Sequence, residues 1–156
     1  MLFRSPDVLA LPYGGGGNTV AYDKGFREDG LQPRIVAAHA TERATTMASA
    51  IRIAAPAHAF EVEPLVAEGR VEDVAVTDED ISRMWLELAS REGIFCEPSS
   101  AAGLAALAQV DLEPGSTVVC VLTGHGLKDT AAVELLTPGA TLVEPTAEAI
   151  LAEVSP

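Results

Sequence analysis

The apolar positions of this chain fall into two recurrent patterns, short β-rich runs and stretches with helical spacing, and the two alternate. Val8-Leu9-Ala10-Leu11-Pro12-Tyr13 reads as a strand that stops at the glycine run Gly14-Gly15-Gly16-Gly17, with a helix following from about Asn18 to Glu28. Arg34–His39 and Val71–Val76 read as further strands. Thr117–Leu122 is an almost unbroken apolar run, the pattern of a parallel strand buried on both faces. The clearest helix covers Asp78 to about Glu92. Ile81, Met84, Trp85, Leu88 and Ala89 share one face, Thr77 is placed to cap it with Asp80 in the first turn, and Gly93 is placed to end it. Trp85 belongs to that core stripe rather than to a ligand site. Ser99–Ala108 is apolar nearly all round and contains Gly103, which predicts a buried helix closely approached by its neighbours, capped by Ser99 or Ser100. A short strand near Thr141–Val143 and a helix over Thr146–Glu153 complete the pattern. Strands alternating with helices predict an α/β fold: three αβα layers around a mostly parallel, doubly wound sheet.

Composition narrows what such a fold can bind. In 156 residues there are 23 acidic and 10 basic side chains, a net charge of −13, which excludes nucleic acid and anionic membranes as partners. Only Lys24 and Lys128 are lysines, so chemistry that needs an amine must use one of them or borrow one. Hydrophobic residues make up 48% of the chain, enough for a real core, while aromatics at 4% are too few for a base-stacking platform. Cys96 and Cys120 sit in apolar runs and read as buried, reduced cysteines of a cytoplasmic protein. No apolar stretch is long enough to span a membrane, and Met1–Ser5 is not followed by the apolar region of a signal peptide.

Two loops are expected at the carboxyl ends of the strands, where ligands of open α/β sheets bind. In Gly14-Gly15-Gly16-Gly17-Asn18, consecutive glycines let backbone N–H groups converge on an anion in front of a helix N-terminus, and Asn18, the only asparagine of the chain, can donate from its amide. The string is neither a Walker A loop nor a spaced GxGxxG fingerprint. In Thr123-Gly124-His125-Gly126-Leu127-Lys128-Asp129, Thr123 is the first polar residue after the buried run, and its hydroxyl faces the glycine loop if the two strands are neighbours. His125 reads as a surface histidine, with its flanking glycines permitting close approach, and Lys128 and Asp129 read as a solvated pair near a helix start. Glu97 stands alone inside an apolar run beside a buried helix. Such a placement is costly for a carboxylate unless it serves a polar site, and a surface loop is the alternative.

These strings resemble the C-terminal half of threonine synthase, a pyridoxal-phosphate enzyme of the tryptophan-synthase-like, fold type II family. The resemblance rests on Leu11–Asn18 with Ala21–Phe26, Ala50–Ile53 with Pro56, Val76–Glu79, Glu92–Ala102 and Ser116–Asp129, in family order over roughly residues 8 to 130. It implies that Gly14, Gly15, Gly16, Gly17 and Asn18 hold the cofactor phosphate, that Glu97 lies beside the ring, and that Thr123 hydrogen-bonds the pyridine nitrogen, which a neutral hydroxyl leaves free to stay unprotonated. The implied reaction converts O-phosphohomoserine and water to L-threonine and phosphate. Gly15 and Gly16 depart from the threonine synthase loop toward that of the threonine and serine dehydratases. Neither Lys24 nor Lys128 matches the Schiff-base lysine, so the resemblance implies no catalytic residue in this chain and no activity for the chain alone. Residues 1–156 are then expected to be one domain, the phosphate-binding portion of a larger enzyme. Its partners would be the cofactor, a phosphorylated amino acid, and the lysine-bearing N-terminal half or a second copy. A dehydratase-type lyase fragment and a non-catalytic phosphate-binding module are the alternatives.

Overall fold

The computed structural model describes residues 5–136, 139 and 141–154; of the Met1–Ser5 segment, residues 1–4 lie outside them. Four strands, β1 (Val8–Pro12), β2 (Arg34–Ala40), β3 (Val71–Val76) and β4 (Val118–Cys120), form one sheet in the order β3-β2-β1-β4. All three pairings are parallel, with Leu9 opposite Ile35 and Val119, and Ala37 opposite Asp73. The helices are α1 (Gly17–Glu28), α2 (Ala59–Ala67), α3 (Asp78–Glu92), α4 (Pro98–Leu107), α5 (Thr130–Leu136) and α6 (Ala147–Val154).

Alternation along the central strands builds the three layers. Val8 and Ala10 of β1 and Val36 and Ala38 of β2 face α3 and α4, meeting Ile81, Trp85, Leu88 and Ala101–Ala106. Leu9, Leu11, Ile35 and Ala37 face the other way, onto Val62 and Leu65 of α2 and Val20 and Phe26 of α1. Burying each such branched side chain contributes about 1.5–3 kcal/mol. Asp23 of α1 is almost fully buried and fastens that helix to the layer below: it accepts from Arg70 Nε at 2.6 Å and lies 2.9 Å from the Arg27 guanidinium.

Helix α3 has the bounds and caps its sequence predicts. Thr77 Oγ1 accepts from Asp80 N at 3.1 Å, and Gly93 closes the helix in the left-handed region at φ 67°. Helix α4 is buried as expected, and Gly103 explains how: a Cβ there would stand 3.3 Å from the Ala10 carbonyl carbon, so helix and strand backbones nearly touch. Its start differs from expectation. Glu97 is the N-cap residue and Pro98 opens the first turn, where a missing N–H costs nothing, so neither Ser99 nor Ser100 caps it.

Two further readings are corrected, and one element has no counterpart in the sequence pattern. β4 is an edge strand of only three residues, paired among the described strands with β1 alone, and Val119 on it is 42% exposed. Residues 141–144 form no strand. Helix α2 was not predicted; it contains Pro64, and its short apolar face of Val62 and Leu65 gives too little periodicity to read.

Candidate active site

The strand order reverses beside β1: its chain leaves through α1 toward β2, while β4 pairs on its opposite edge. The loops after β1 and β4 therefore open on one crevice at the carboxyl end of the sheet, the place where such sheets take ligands. A cleft of about 290 Å³ lies there, and Gly14, Gly15, Gly16, Gly17, Asn18, Glu97 and Thr123 all line it, together with Thr19, Ala50, Ile51, Ser99 and Lys128. Every sequence-predicted site residue is thus brought to one place.

The glycine loop is shaped by contact rather than by flexibility alone. A Cβ on Gly14 would stand 2.8 Å from the Ala50 carbonyl oxygen. Gly16, at φ 92°, has a conformation that L side chains rarely adopt, and a Cβ there would crowd His58, Tyr13 and Val62 at 3.1–3.2 Å. Gly15 has only Ile53 Cδ1 at 3.9 Å. Gly16 is also the N-cap of α1 and no side chain caps that helix, so the positive end of its dipole opens on the cleft. Asn18 is exposed at the rim. Thr19, which sequence reasoning passed over, is fully buried, and its hydroxyl has no hydrogen-bond partner. An uncapped helix end, glycine backbone and an unsatisfied hydroxyl together make a cradle for an anion.

The opposite wall is built by two strings that clasp each other. Glu97 N donates to the Gly124 carbonyl at 2.9 Å and Gly126 N to the Phe95 carbonyl at 3.0 Å. The glycines flanking His125 do permit close approach, but of protein side chains: a Cβ on Gly124 would overlap the Glu97 carboxyl, and one on Gly126 would strike the Phe95 ring. Trp85 Nε1 donates to the Cys96 carbonyl, anchoring this segment to α3.

Glu97 is 1% exposed, which decides against the surface-loop reading. Its Oε1 accepts from Thr123 Oγ1 at 3.2 Å, and its Oε2 lies 3.0 Å from Lys128 Nζ in an ion pair that is not aligned as a hydrogen bond. Ser100, fully buried at the start of α4, holds Thr123 in place: its Oγ accepts from Thr123 N at 2.9 Å and Gly124 N at 3.2 Å.

The solvated-pair reading fails for Asp129 and holds for Lys128 in part, since the Lys128 side chain is 63% exposed but is ion-paired. The Lys128 ammonium lies 3.0 Å from the buried Glu97, and Asp129, 8% exposed, accepts from Ser49 N at 3.2 Å and Ser49 Oγ at 2.6 Å. That bond, with Ala50 N donating to Ser99 Oγ at 3.1 Å, holds residues 49–51 against Gly14. His125 is exposed; its ring lies edge-on to Phe95 with centroids 5.6 Å apart, and it caps the turn that follows, accepting from Leu127 N at 3.2 Å.

The remaining chemistry-bearing groups lie elsewhere. Both cysteines are free; burial raises the Cys96 thiol and pushes Cys120 up to about 11, so neither is a thiolate nucleophile near neutral pH. Lys24 is exposed and lies 3.7 Å from Glu28 on the same helix. Among the described residues there is no cluster able to hold a metal ion and no helix long and apolar enough to cross a membrane.

The chain is similar to known enzymes along most of its length. The chain is 43% identical to threonine synthase of Halalkalibacterium halodurans over 148 residues, covering 82% of this chain and 42% of that one. It is 41% identical to threonine synthase of Synechocystis over 149 residues, covering 83% and 39%. For the Methanosarcina acetivorans threonine synthase the values are 34% over 177 positions, 95% and 44%. The chain therefore spans about two-fifths of the length of the curated relatives it matches. Among solved structures it resembles a T.th. threonine deaminase, with TM-score 0.61 and 19% identity over 78% of this chain and 50% of that one. It also resembles serine racemase of Dictyostelium discoideum, with TM-score 0.60 and 23% identity over 79% and 45%. These two likenesses speak for the fold. The family model described as pyridoxal-phosphate dependent enzyme matches residues 1–124, which include all four strands and Thr123, and the chain belongs to that family.

Proposed function

We propose that this chain supplies the phosphate-holding part of a threonine synthase, which converts O-phosphohomoserine and water to L-threonine and phosphate. The observation that carries the reading is the meeting of the glycine loop, Glu97 and Thr123 in one cleft of about 290 Å³. The roughly 40% identity to threonine synthases along four-fifths of the chain supports the choice of substrate.

The residues fit pyridoxal phosphate. The uncapped N-terminus of α1, the tight backbone at Gly14 and Gly16 and the unpartnered hydroxyl of Thr19 suit its phosphate. In a chain of net charge −13, an anion is better held by backbone N–H groups than by a basic patch. Glu97 and Thr123 on the opposite wall would flank the ring, and Ala50 and Ile51 would close the side of the cleft. When bound, the cofactor supplies the electron sink that stabilises charge at the substrate Cα.

The amine that anchors the cofactor is not offered by this chain in our reading. Lys24 does not line the cleft, and Lys128 does so while ion-paired to Glu97. A lysine-bearing segment from outside this chain completes the site in the cytoplasm. Phosphate release from O-phosphohomoserine tests the proposal. The purified chain with pyridoxal phosphate is expected to release none, and adding the lysine-bearing N-terminal segment of a threonine synthase to restore release together with threonine. Turnover by the chain alone would sink the reading. Ammonia release from threonine or serine by the reconstituted pair would favour a dehydratase, and cofactor binding without any turnover a non-catalytic module.

A further inference from the structure

Arg43 is held in place without being saturated. Its guanidinium lies 4.5 Å from the centroid of the Tyr13 ring, and only 18% of its side chain is exposed. An arginine carries five N–H donors. Of these, Nη1 reaches the Tyr13 carbonyl at 3.4 Å, and Nη2 stands 3.9 Å from Asp73 Oδ1. Both contacts are longer than the roughly 2.7–2.9 Å of a charge-assisted hydrogen bond. The carboxylates nearby are equally free. Asp73 meets Arg43 and His39 through Oδ1 alone, and its Oδ2 has no partner among the described residues. Glu63, close enough to act on the Tyr13 hydroxyl through its charge, has no hydrogen bond or ion pair among them.

These groups border a cavity of about 300 Å³ between α2 and the loops that follow β1 and β2. It shares no lining residue with the cleft of the glycine loop. Its other side is apolar. Ala59, Val62 and Val66 stand at i, i+3 and i+7 on one face of α2, and Pro56 extends that face. The volume is at the lower end for small-molecule sites, room for one ligand of amino-acid size.

We propose that this cavity is a second binding site, for a free α-amino acid with an apolar side chain. The unsaturated Arg43 fork takes the carboxylate. Asp73 Oδ2 and Glu63 take the ammonium, and the α2 face takes the side chain. Because the charges of Arg43 and Asp73 stand only 3.9 Å apart, the complementary charges of the ligand are neighbours too, as on an α-amino acid and not at the two ends of a longer chain. Two carboxylates to one guanidinium leave the rim net negative, which disfavours a phosphorylated ligand and separates this site from the glycine cradle. The reading does not rest on the proposed function: it needs neither the cofactor nor the lysine-bearing segment.

Equilibrium dialysis of the chain against labelled L-leucine, without pyridoxal phosphate, tests the proposal. One saturable site is expected. Isocaproate, which lacks the ammonium, and isoamylamine, which lacks the carboxylate, should each compete about tenfold or more weakly than leucine, because each leaves one charged group of the site unpaired. Arg43→Gln should weaken leucine binding by a similar factor. In methyl NMR spectra of the unaltered chain, Val62 and Val66 should shift as leucine is added, while Ile51 and Thr123 at the cleft stay in place. The analogues and the spectra use the unaltered protein, so they decide even where the Arg43 variant does not fold. No saturable binding up to about 10 mM leucine overturns the proposal. So does equal competition by the two analogues, and so do shifts at Ile51 and Thr123 in place of Val62 and Val66.

Discussion

Gly14 and Gly15 are adjacent and chemically identical, yet the structure asks different things of them. A methyl group on Gly14 would be driven into the Ala50 carbonyl at 2.8 Å, against a segment that Asp129 and Ser99 hold in place. On Gly15 it would meet Ile53 at ordinary van der Waals distance, 3.9 Å. Gly14→Ala is therefore expected to weaken phosphate-ligand binding by about tenfold or more, the effect of roughly 1.4 kcal/mol or above. Gly15→Ala should change the dissociation constant by no more than about twofold. Titration of the chain with pyridoxal phosphate, followed by absorbance, measures both. Equal losses would show that conformational freedom and not space is what the run provides. From sequence the run was legible as an anion cradle, but which glycine is irreplaceable depends on Ala50, a residue 36 positions away whose approach no local pattern announces. The same holds for the carboxylate wall. Glu97 was legible as an anomaly in an apolar run, whereas its ion-pair partner was not, because the exposed Lys128 is brought to it across 31 residues by the fold alone. Cys120 gives a second residue-scale expectation. Its thiol is pushed up to about 11 by burial, so the folded state holds its proton more tightly than the unfolded chain. That contribution to stability is intact below about pH 9 and is lost as the pH rises toward 11. Urea midpoints measured from pH 8 to 11 should fall over that window for the unaltered protein, and fall less for Cys120→Ala.

Elements with strong local signals were read well, and those stabilised by their surroundings were not. α3 carries a cap, an apolar stripe and a terminating glycine within its own sequence, so its bounds follow from local rules. Its cap should be worth what such caps are usually worth. Thr77→Ala removes the bond to Asp80 N and is expected to cost about 1 kcal/mol, read from the urea midpoint at constant m. The threonine hydroxyl also donates to Asp80, holding that carboxyl below its ordinary range, so the cap weakens as acid protonates Asp80. α4 was recognised from composition alone: an all-round apolar helix of small residues has to be buried, and Gly103 against Ala10 shows why the residues are small. Gly103→Val should force α4 off β1 and cost about 1–3 kcal/mol. β4 and the proposed 141–143 strand mark the limit. An apolar run says that a segment can pair, but whether it gains one neighbour, two or none is decided by the rest of the sheet.

For the molecule as a whole, the decisive quantity is the supply of amines. A chain with net charge −13 and two lysines has few ways to hold a phosphorylated aldehyde covalently, and the structure narrows them further. Lys24 projects from the exposed side of α1 with 69% of its side chain accessible, beside Glu28. Lys128 reaches the cleft, but its charge is what compensates a carboxylate that is 1% exposed. Committing that nitrogen to an imine would draw it away from Glu97 and leave a buried carboxylate without its ion-pair partner, which is unfavourable. A covalent adduct at Lys128 is thus opposed by the architecture of the wall, and one at Lys24 by distance from the cradle. Borohydride reduction of the chain with pyridoxal phosphate, followed by peptide mapping, should give only trace, non-saturating label on either lysine. The same treatment after addition of a lysine-bearing segment should place one equivalent of label on that segment. Lys128→Met should lower the amount of label, because it leaves Glu97 without its ion-pair partner, while the label that forms should still fall on the added segment. A stoichiometric, saturable adduct on Lys128 in the isolated chain would reverse this assignment and make the amine across from the glycine loop the anchor itself.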